Sequence, residues 1–227
     1  TVDWSHANGV RIMDDGDSFL VKFRLISGIA NVDVSSQKIK WMVISEPESL
    51  GEDIAKRALK LPSDQNWFWM PHAPWITERG TLLIFNNDNF GSRPFGDFKS
   101  PSAIRSRAEE YAIDLEEMTL EKIWESRFPE EEPMRSWAMG SVQPLANGNT
   151  LVGYGMLLRP EGVEDLTWPQ RLGHPAWTQI REYTHETPAS LVWSLTLLPL
   201  TDSTPIGWSI YGGQRLPAWP VPNESRN

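Results

Sequence analysis

Two of the four histidines in this 227-residue sequence lie in similar contexts, and imidazole is the side chain best suited to proton transfer near neutral pH. His6 and His72 each precede a glycine turn and an apolar segment by nearly the same interval. If these segments are neighbouring repeats, the two imidazoles would approach one axis. There they could donate to an oxyanion, bind a metal ion or act as acid and base. The alternative is that each imidazole bonds to nearby backbone inside a tryptophan-rich layer.

Arginine could add a permanent positive charge to such a site. A guanidinium binds sulfate or phosphate oxygens through paired hydrogen bonds and stays charged at any working pH. The candidates are Arg24, Arg105 and Arg107. Arg107 has an alternative role, a weak ion pair with Glu109 or Glu110. Tryptophans near the histidines could hold a planar ring or pack in the core, and they are Trp4, Trp67, Trp69 and Trp75.

Composition excludes several other chemistries. The chain has no cysteine, which excludes disulfides, thiolate zinc sites, iron–sulfur clusters and a cysteine nucleophile. It also has no phosphate-binding glycine loop, paired-histidine zinc motif or G-x-S-x-G element. With 21 Lys and Arg against 30 Asp and Glu, the net charge of −9 disfavours nucleic acid and anionic membranes as partners. No apolar stretch approaches the roughly 20 residues that a spanning helix needs.

Short elements must position these residues, because 16 glycines and 18 prolines are scattered along the chain. A glycine turn followed by an apolar strand occurs at residues 15–21, 79–85 and 147–152. The tryptophans that follow these copies are Trp41, Trp124 and Trp193, with Trp208 as the candidate for a fourth. Between glycine and tryptophan, strands are predicted at 29–34, 107–114 and 179–184. Four short strands in a repeat are typical of a propeller blade, so we predict an all-β β-propeller.

Two insertions lengthen these repeats. Residues 46–61 place Ile54, Ala55, Ala58 and Leu59 at helical spacing, which predicts a short amphipathic helix. Residues 86–104 are rich in Asn, Gly, Pro and Phe and predict a long loop. Such a loop could cover a functional face or be an ordinary surface excursion.

Five segments, in this order, resemble the bacterial arylsulfotransferase family, and together they run over most of the chain. They are DWSHANGV at 3–10, PHA at 71–73, LIFNN at 83–87, SRAEEYAID at 106–114 and GSVQPLANGNTLV at 140–152. The resemblance implies a six-bladed propeller. This chain would form about three to four of its blades, as a single propeller-type domain over residues 1–227 and the C-terminal part of a larger ring. A missing N-terminal segment or a second chain would complete that ring, and a homo-oligomer is a further expectation.

The resemblance also implies a reaction, which is transfer of a sulfuryl group from a phenolic sulfate ester to a phenol without PAPS. In this family a histidine carries the group between the two phenols. By resemblance, the catalytic residues that hold the sulfuryl oxygens and protonate the leaving phenolate would be His6, His72 and Arg107. Substrate contacts are expected from Arg24, Asn8, Asn87 and Trp75. No cofactor and no metal are expected, and the family's usual location predicts a periplasmic or secreted protein.

The sequence departs from the family at the nucleophile. The histidine that becomes sulfated follows the third glycine turn in the family, whereas residues 150–159 contain no histidine. His174 and His185 come later, where we expect surface loops. A divergent activity is therefore one hypothesis, and a non-catalytic propeller that binds a ligand or protein through its loops is the alternative. A third hypothesis is that His6 and His72 help to ligate a metal with residues from the missing blades.

Overall fold

Thirteen β-strands and one short α-helix form the regular structure of the residues that the computed structural model describes. These residues are 4–13, 15–89, 99, 103–127, 134–158, 176–199 and 207–216. The strands build three mainly antiparallel sheets, one after another along the chain. The all-β prediction is therefore confirmed, whereas closure of the sheets into a propeller ring stays a prediction.

Each sheet keeps its strands in chain order. The first sheet contains β1 (Ala7–Ile12), β2 (Ser18–Phe23), β3 (Gly28–Asp33), β4 (Ile39–Val43) and β5 (Ala58–Leu59), with β5 parallel to β4. The second sheet contains β6 (His72–Ile76), β7 (Leu82–Asn86), β8 (Arg107–Asp114) and β9 (Thr119–Glu125). The third sheet contains β10 (Ser141–Pro144), β11 (Thr150–Leu158), β12 (Ala176–Tyr183) and β13 (Leu191–Leu197).

Equivalent glycines turn the chain between the first and second strands of each sheet. Gly16, Gly80 and Gly148 have φ values of 73°, 77° and 84°. Only glycine adopts this left-handed region without a steric penalty from Cβ. The three glycine turns predicted from the sequence are therefore confirmed as the start of a structural repeat.

Side chains of β7 pack the second sheet between the other two. All five residues of β7 are buried, and successive side chains point to opposite faces. Leu82 and Ile84 pack in a cluster with Leu20 of the first sheet, whereas Leu83 and Phe85 pack with side chains of the third sheet, such as Val152. Burying each of these side chains stabilises the stack by about 2 kcal/mol.

The first strands of the three sheets lie side by side. β6 contacts β1 and β2 of the first sheet, and β10 contacts β6 and β7 of the second. Residues at the ends of these first strands are therefore brought together from separate repeats.

The insertion at 46–61 is less helical than predicted. It contains a 3-10 turn (Pro47–Leu50) and a single helical turn, α1 (Glu52–Ala55), separated by Gly51 at φ 100°. Ala58 and Leu59 leave the predicted helix and pair with β4, because this pairing buries both side chains. In the long loop predicted at 86–104, Asn86 belongs to β7, and residues 90–98 and 100–102 lie outside the described residues. Within the described ranges, no helix has the length and apolar composition to cross a membrane.

Residues 207–216 cross one face of the third sheet, and we call this segment the strap. Its backbone N–H groups donate to Ala176 O of β12 from Trp208 at 2.8 Å, and to Gly155 O of β11 from Ile210 at 3.0 Å. Further along, Gly213 N donates to Ser141 Oγ of β10 at 2.9 Å. The candidate for a fourth repeat at Trp208 thus lies on the strap, which forms no strand in its described part.

Candidate functional site

A β-bulge at the start of the second sheet turns His72 into the interior. The register between β6 and β7 shifts between His72 and Trp75, and a bulge of this kind redirects the side chains beside it. Met70 and Ala73 adopt φ values of 50° and 47°, which are unfavourable for residues with a side chain. A hydrogen bond of 2.9 Å from Met70 N to Ser27 Oγ holds the backbone in this conformation. The side chain of His72 is buried as a result.

Two asparagines fix the protonation state of His72. Its Nδ1 lies 2.6 Å from Asn87 Oδ1, and its Nε2 lies 3.3 Å from Asn8 Nδ2. An amide nitrogen can only donate, so Nε2 accepts and Nδ1 carries the proton. Burial, together with the nearby charge of Lys22, lowers the pKa of His72 to about 3. The imidazole is therefore neutral at physiological pH.

Two backbone carbonyls orient Asn87 from its other end. Its Nδ2 donates to Ser136 O at 3.0 Å and to Met139 O at 2.8 Å. Because carbonyls can only accept, the amide oxygen must face His72. The segment before β10 thus sets the tautomer of an imidazole on β6.

Asn8 joins His72 to the strap. It lies at a register shift of β1, and its backbone oxygen accepts a hydrogen bond of 2.6 Å from the hydroxyl of Tyr211. The Tyr211 ring stands edge-on to His72, with 6.1 Å between ring centres. Asn8 Oδ1 is buried and has no hydrogen-bond partner within the described ranges. This oxygen is an unused acceptor beside His72.

Two basic side chains lie close to the imidazole. Lys22 on β2 is fully buried, and its Nζ has no hydrogen-bond partner among the described residues. Burial and the positive charge of Arg24 lower the pKa of Lys22 to about 6. Arg24 also helps to lower the pKa of His72. His72, Lys22 and Arg24 are therefore near enough to act on one another electrostatically.

His6 and Arg24 are in contact through their backbone atoms. Arg24 N donates to His6 O at 3.0 Å, and His6 has φ 51° and an exposed side chain. The structure therefore brings the backbone of His6 to the turn that carries Arg24, whereas the hydrogen bonds of His72 go to Asn8 and Asn87.

Arg107 is bound by carboxylates. Its Nε donates to Glu125 Oε2 at 2.9 Å, its Nη2 forms an ion pair with Glu109, and its Nη1 donates to Arg105 O at 2.7 Å. Burial alone would lower the pKa of Arg107, but Glu109 and Glu125 raise it. The alternative that the sequence left open, an ion pair with a neighbouring glutamate, is thus present, and the Arg107 side chain is 15% exposed on a strand inside the sheet.

Trp75 lies farther along β6 and contacts a different cation. The guanidinium carbon of Arg11 lies 3.6 Å from the Trp75 ring centre, and Arg11 Nε donates to Pro74 O at 3.1 Å. Trp75 also lines a cavity of about 430 Å³ that Glu110 and His185 share. The other tryptophans near the histidines differ in their surroundings, since Trp67 stacks on Phe68 at 4.9 Å whereas Trp4 is exposed.

A second polar cluster centres on Glu110, which the sequence analysis considered only as a partner for Arg107. The buried carboxylate accepts from Arg79 Nη2 at 2.7 Å and from the Thr81 hydroxyl, and lies 2.5 Å from His185 Nε2. His185 lies in the loop between β12 and β13, as expected, but it is half-buried and stacks on Trp124 at 4.8 Å. His185 therefore ties this loop to the second sheet, whereas His174 lies outside the described residues.

Sequence reasoning missed Lys22 and Tyr211. A signal for Lys22 was present, because alternate positions Ser18, Leu20 and Lys22 occupy one face of β2 and all three are buried. Tyr211 gave no such signal, since its partner Asn8 is 203 positions away in the sequence. Within the described part of the chain, no group of three His, Asp or Glu side chains could hold a metal ion.

Comparisons with known proteins agree with the resemblance read from the sequence. The family described as arylsulfotransferase (ASST) matches residues 1–194. The arylsulfate sulfotransferase AssT of Escherichia coli O6:H1 is 25% identical over 171 residues, which are 67% of this chain and 28% of that protein. AssT of Lelliottia amnigena is 26% identical over 140 residues, covering 54% of this chain and 23% of the relative. The matches thus span about a quarter of the length of these relatives.

Proposed function

The chain belongs to the arylsulfotransferase family, and from this membership we propose that its His72 site takes part in PAPS-independent transfer of a sulfuryl group from an aryl sulfate ester to a phenol. The observation that carries the proposal is the buried chain of hydrogen bonds from Asn8 through His72 to Asn87, next to Arg24 and Lys22. The site combines a neutral imidazole of fixed tautomer with the positive charge of Arg24.

Positive charge suits this reaction, because its transition state spreads negative charge over the sulfuryl oxygens. We expect Arg24 to bind these oxygens, a role supported by its electrostatic effect on His72 and by the backbone hydrogen bond from Arg24 N to His6 O. Arg107, proposed from the family resemblance as a third catalytic residue, would have to exchange part of its contacts with Glu109 and Glu125 to join them. Trp75 would bind an aromatic ring only at the far end of β6.

His72 is suited to accept a proton from the phenol that receives the sulfuryl group. Its contact with Asn8 at 3.3 Å is long for a hydrogen bond, so a phenol hydroxyl can replace the Asn8 amide as the donor to Nε2. The released Asn8 amide can then donate to a sulfuryl oxygen. A bound sulfate ester brings negative charge close to the imidazole and raises the pKa of His72 from its low value in the free protein.

We propose that the transfer is a single displacement, because residues 150–159 hold no histidine that could carry the sulfuryl group. The acceptor oxygen forms a bond to sulfur while the bond from sulfur to the donor oxygen breaks. The acceptor proton passes to Nε2 of His72 and then to the leaving phenolate, so the imidazole returns to its neutral state. Asn87 holds Nδ1–H throughout and keeps Nε2 available.

The test is an assay of the purified protein with a chromogenic aryl sulfate and a phenol acceptor. We expect acceptor-dependent release of the chromogenic phenol, and initial-rate lines that intersect when donor and acceptor are varied. His72→Gln should lower kcat by about 100-fold or more, since general acid–base catalysis contributes on this order. His185→Gln is the matched control and should keep the wild-type kcat. Absence of turnover by the wild-type protein would refute the transfer, and parallel lines would refute the single displacement.

A non-catalytic ligand-binding role is the second candidate. It is favoured by the carboxylates that bind Arg107 and by the missing histidine of the third repeat. Calorimetry with the same aryl sulfate separates the two candidates, because binding without turnover supports this role and excludes transfer.

The similarity to longer relatives supports two further proposals, on the completion of the fold and on the location of the protein. Since the matches span about a quarter of their length, we propose that further chain, as a continuation or a second subunit, completes a propeller ring. We also propose a periplasmic or secreted location, which cell fractionation would test.

A further inference from the structure

We propose that Lys22 binds an oxygen of the tetrahedral anion in the His72 site, a role that rests on the proposed function and deepens it. The first observation is the state of its amine. Lys22 is fully buried, and its Nζ has no hydrogen-bond partner among the described residues. An unpartnered buried amine is costly, so its place in the fold calls for a partner that binds there.

The alternation of side chains along β2 determines which way the Lys22 side chain points. It shares a face of β2 with Leu20, which packs with Leu82 and Ile84 of the second sheet. Lys22 is thus at the end of the buried face of β2, which is directed toward β7 and β6. Opposite Lys22 on β1 stands Gly9, where a Cβ would lie 3.5 Å from Lys22 Cε. The lysine stem therefore runs along β1 beside Gly9, at ordinary contact distance.

The surroundings of Nζ select the chemistry of its partner. The charged and titratable groups that act on it are Arg24, on the turn after β2, and His72, on β6. The guanidinium repels a cation, and Nε2 of His72 already accepts from Asn8. Neither group is available to accept a hydrogen bond from the amine, and Asn8 Oδ1, the buried acceptor beside His72, forms no hydrogen bond with it. A negatively charged ligand with several acceptor oxygens is therefore the partner that fits. Sulfate, phosphate and a sulfate ester share this chemistry.

Anion binding should also change the protonation of the amine. Burial and Arg24 hold the pKa of Lys22 at about 6 in the free protein, so most molecules carry a neutral amine at pH 7.5. An anion beside Nζ favours the charged form, and binding should therefore take up a proton. Arg24 stays charged at this pH, and His72, whose pKa is also low, is the other group able to take up a proton.

The experiment compares wild-type protein with Lys22→Met, Lys22→Arg and the matched control Lys40→Met, an exposed lysine on β4. Titration calorimetry at pH 7.5, in buffers of different ionisation enthalpy, measures affinity and proton uptake with inorganic sulfate, inorganic phosphate and an aryl sulfate as separate probes. We expect Lys22→Met to weaken binding of the preferred anion by about tenfold or more and to reduce proton uptake. Lys22→Arg should recover part of the affinity, and Lys40→Met should match the wild type.

Thermal unfolding shows whether the variants fold. Met has a similar length and removes the buried amine, so we expect the Tm of Lys22→Met to equal or exceed that of the wild type. A gain in Tm together with a loss of anion binding is a result that a purely structural lysine would not produce. If Lys22→Met lowers the Tm strongly, the role of Lys22 is decided by the anion affinity of Lys22→Arg, because arginine keeps the positive charge and the hydrogen-bond donors.

The outcomes distinguish this proposal from the proposed function. Unchanged anion affinity in Lys22→Met overturns the role of Lys22, whether or not the wild type turns over aryl sulfates. Weakened affinity in a protein without turnover supports Lys22 and overturns the transfer. Preference for the aryl sulfate over both inorganic ions identifies the ester as the ligand. A wild type that binds none of the three probes overturns both proposals.

Discussion

At the residue scale, Asn87 satisfies three buried groups with one amide. It accepts from Nδ1 of His72 and donates to the carbonyls of Ser136 and Met139. Leaving any of these groups unpaired in the interior would cost about 1–3 kcal/mol. The same contacts decide which nitrogen of His72 carries its proton, so stability and chemistry depend on one side chain.

Replacing Asn87 by aspartate separates these roles. A carboxylate still accepts from His72 but cannot donate to the two carbonyls, so we expect Asn87→Asp to lower the free energy of unfolding by about 2 kcal/mol. Its negative charge should also raise the pKa of His72 above about 3. Urea denaturation and an NMR titration of the imidazole, assigned with the His72→Gln variant, provide the two measurements. An unchanged titration of His72 would contradict the assigned contact.

At the scale of elements, Glu110 joins the second and third sheets. The carboxylate stands on β8, and its partners are Arg79 on the turn before β7 and His185 in the loop after β12. Burial alone would raise the pKa of Glu110, but hydrogen bonds from Arg79, Thr81 and His185 lower it below its usual value of 4.5. The ionised carboxylate therefore stabilises the contact between the sheets.

Stability should fall in acid through this carboxylate. Because its pKa is lower in the folded than in the unfolded protein, its contribution is complete above the usual value of 4.5 and is lost as the pH falls through the folded value. Glu110→Gln should be less stable than the wild type by about 2 kcal/mol at pH 7, and this difference should shrink at pH 3.5. Urea denaturation at both pH values measures it, with the exposed Glu121→Gln as the control. A difference that stays constant with pH would count against the assigned ion pair.

Local signals predicted the repeat, whereas contacts between repeats were mostly invisible. The turns at Gly16, Gly80 and Gly148 and the strand at 107–114 follow from glycine conformation and alternation, which are properties of neighbouring residues. The partners of Glu110 were not predictable, because His185 is 75 positions away. In the 46–61 insertion the helical part ends at Ala55, since pairing of Ala58 and Leu59 with β4 outweighs their helical spacing.

At the scale of the whole molecule, the strap closes a contact between the two ends of the described chain. It crosses the third sheet and reaches β1 of the first sheet, where the Tyr211 hydroxyl bonds to Asn8. Close approach is possible because the strap carries glycine at its tightest points. At Gly207, a Cβ would lie only 1.9 Å from the Ala176 carbonyl oxygen.

A methyl group at Gly207 should therefore displace the strap. We expect Gly207→Ala to increase amide hydrogen exchange at Trp208 and Ile210, whose N–H groups bond to the third sheet, and to speed proteolysis of 207–216. The exposed Ser209→Ala on the same segment is the control and should exchange like the wild type. Wild-type exchange in Gly207→Ala would show that the strap does not lie against Ala176.

The position of Asn8 links chemistry in the interior to the tail of the polypeptide. One end of this residue touches the imidazole and the other is held by a tyrosine near the carboxyl-terminal end. A guest molecule that displaces Asn8, backbone included, would therefore also alter how firmly the tail is anchored. By thermodynamic reciprocity, anchoring the tail must alter the affinity for that guest by the same factor.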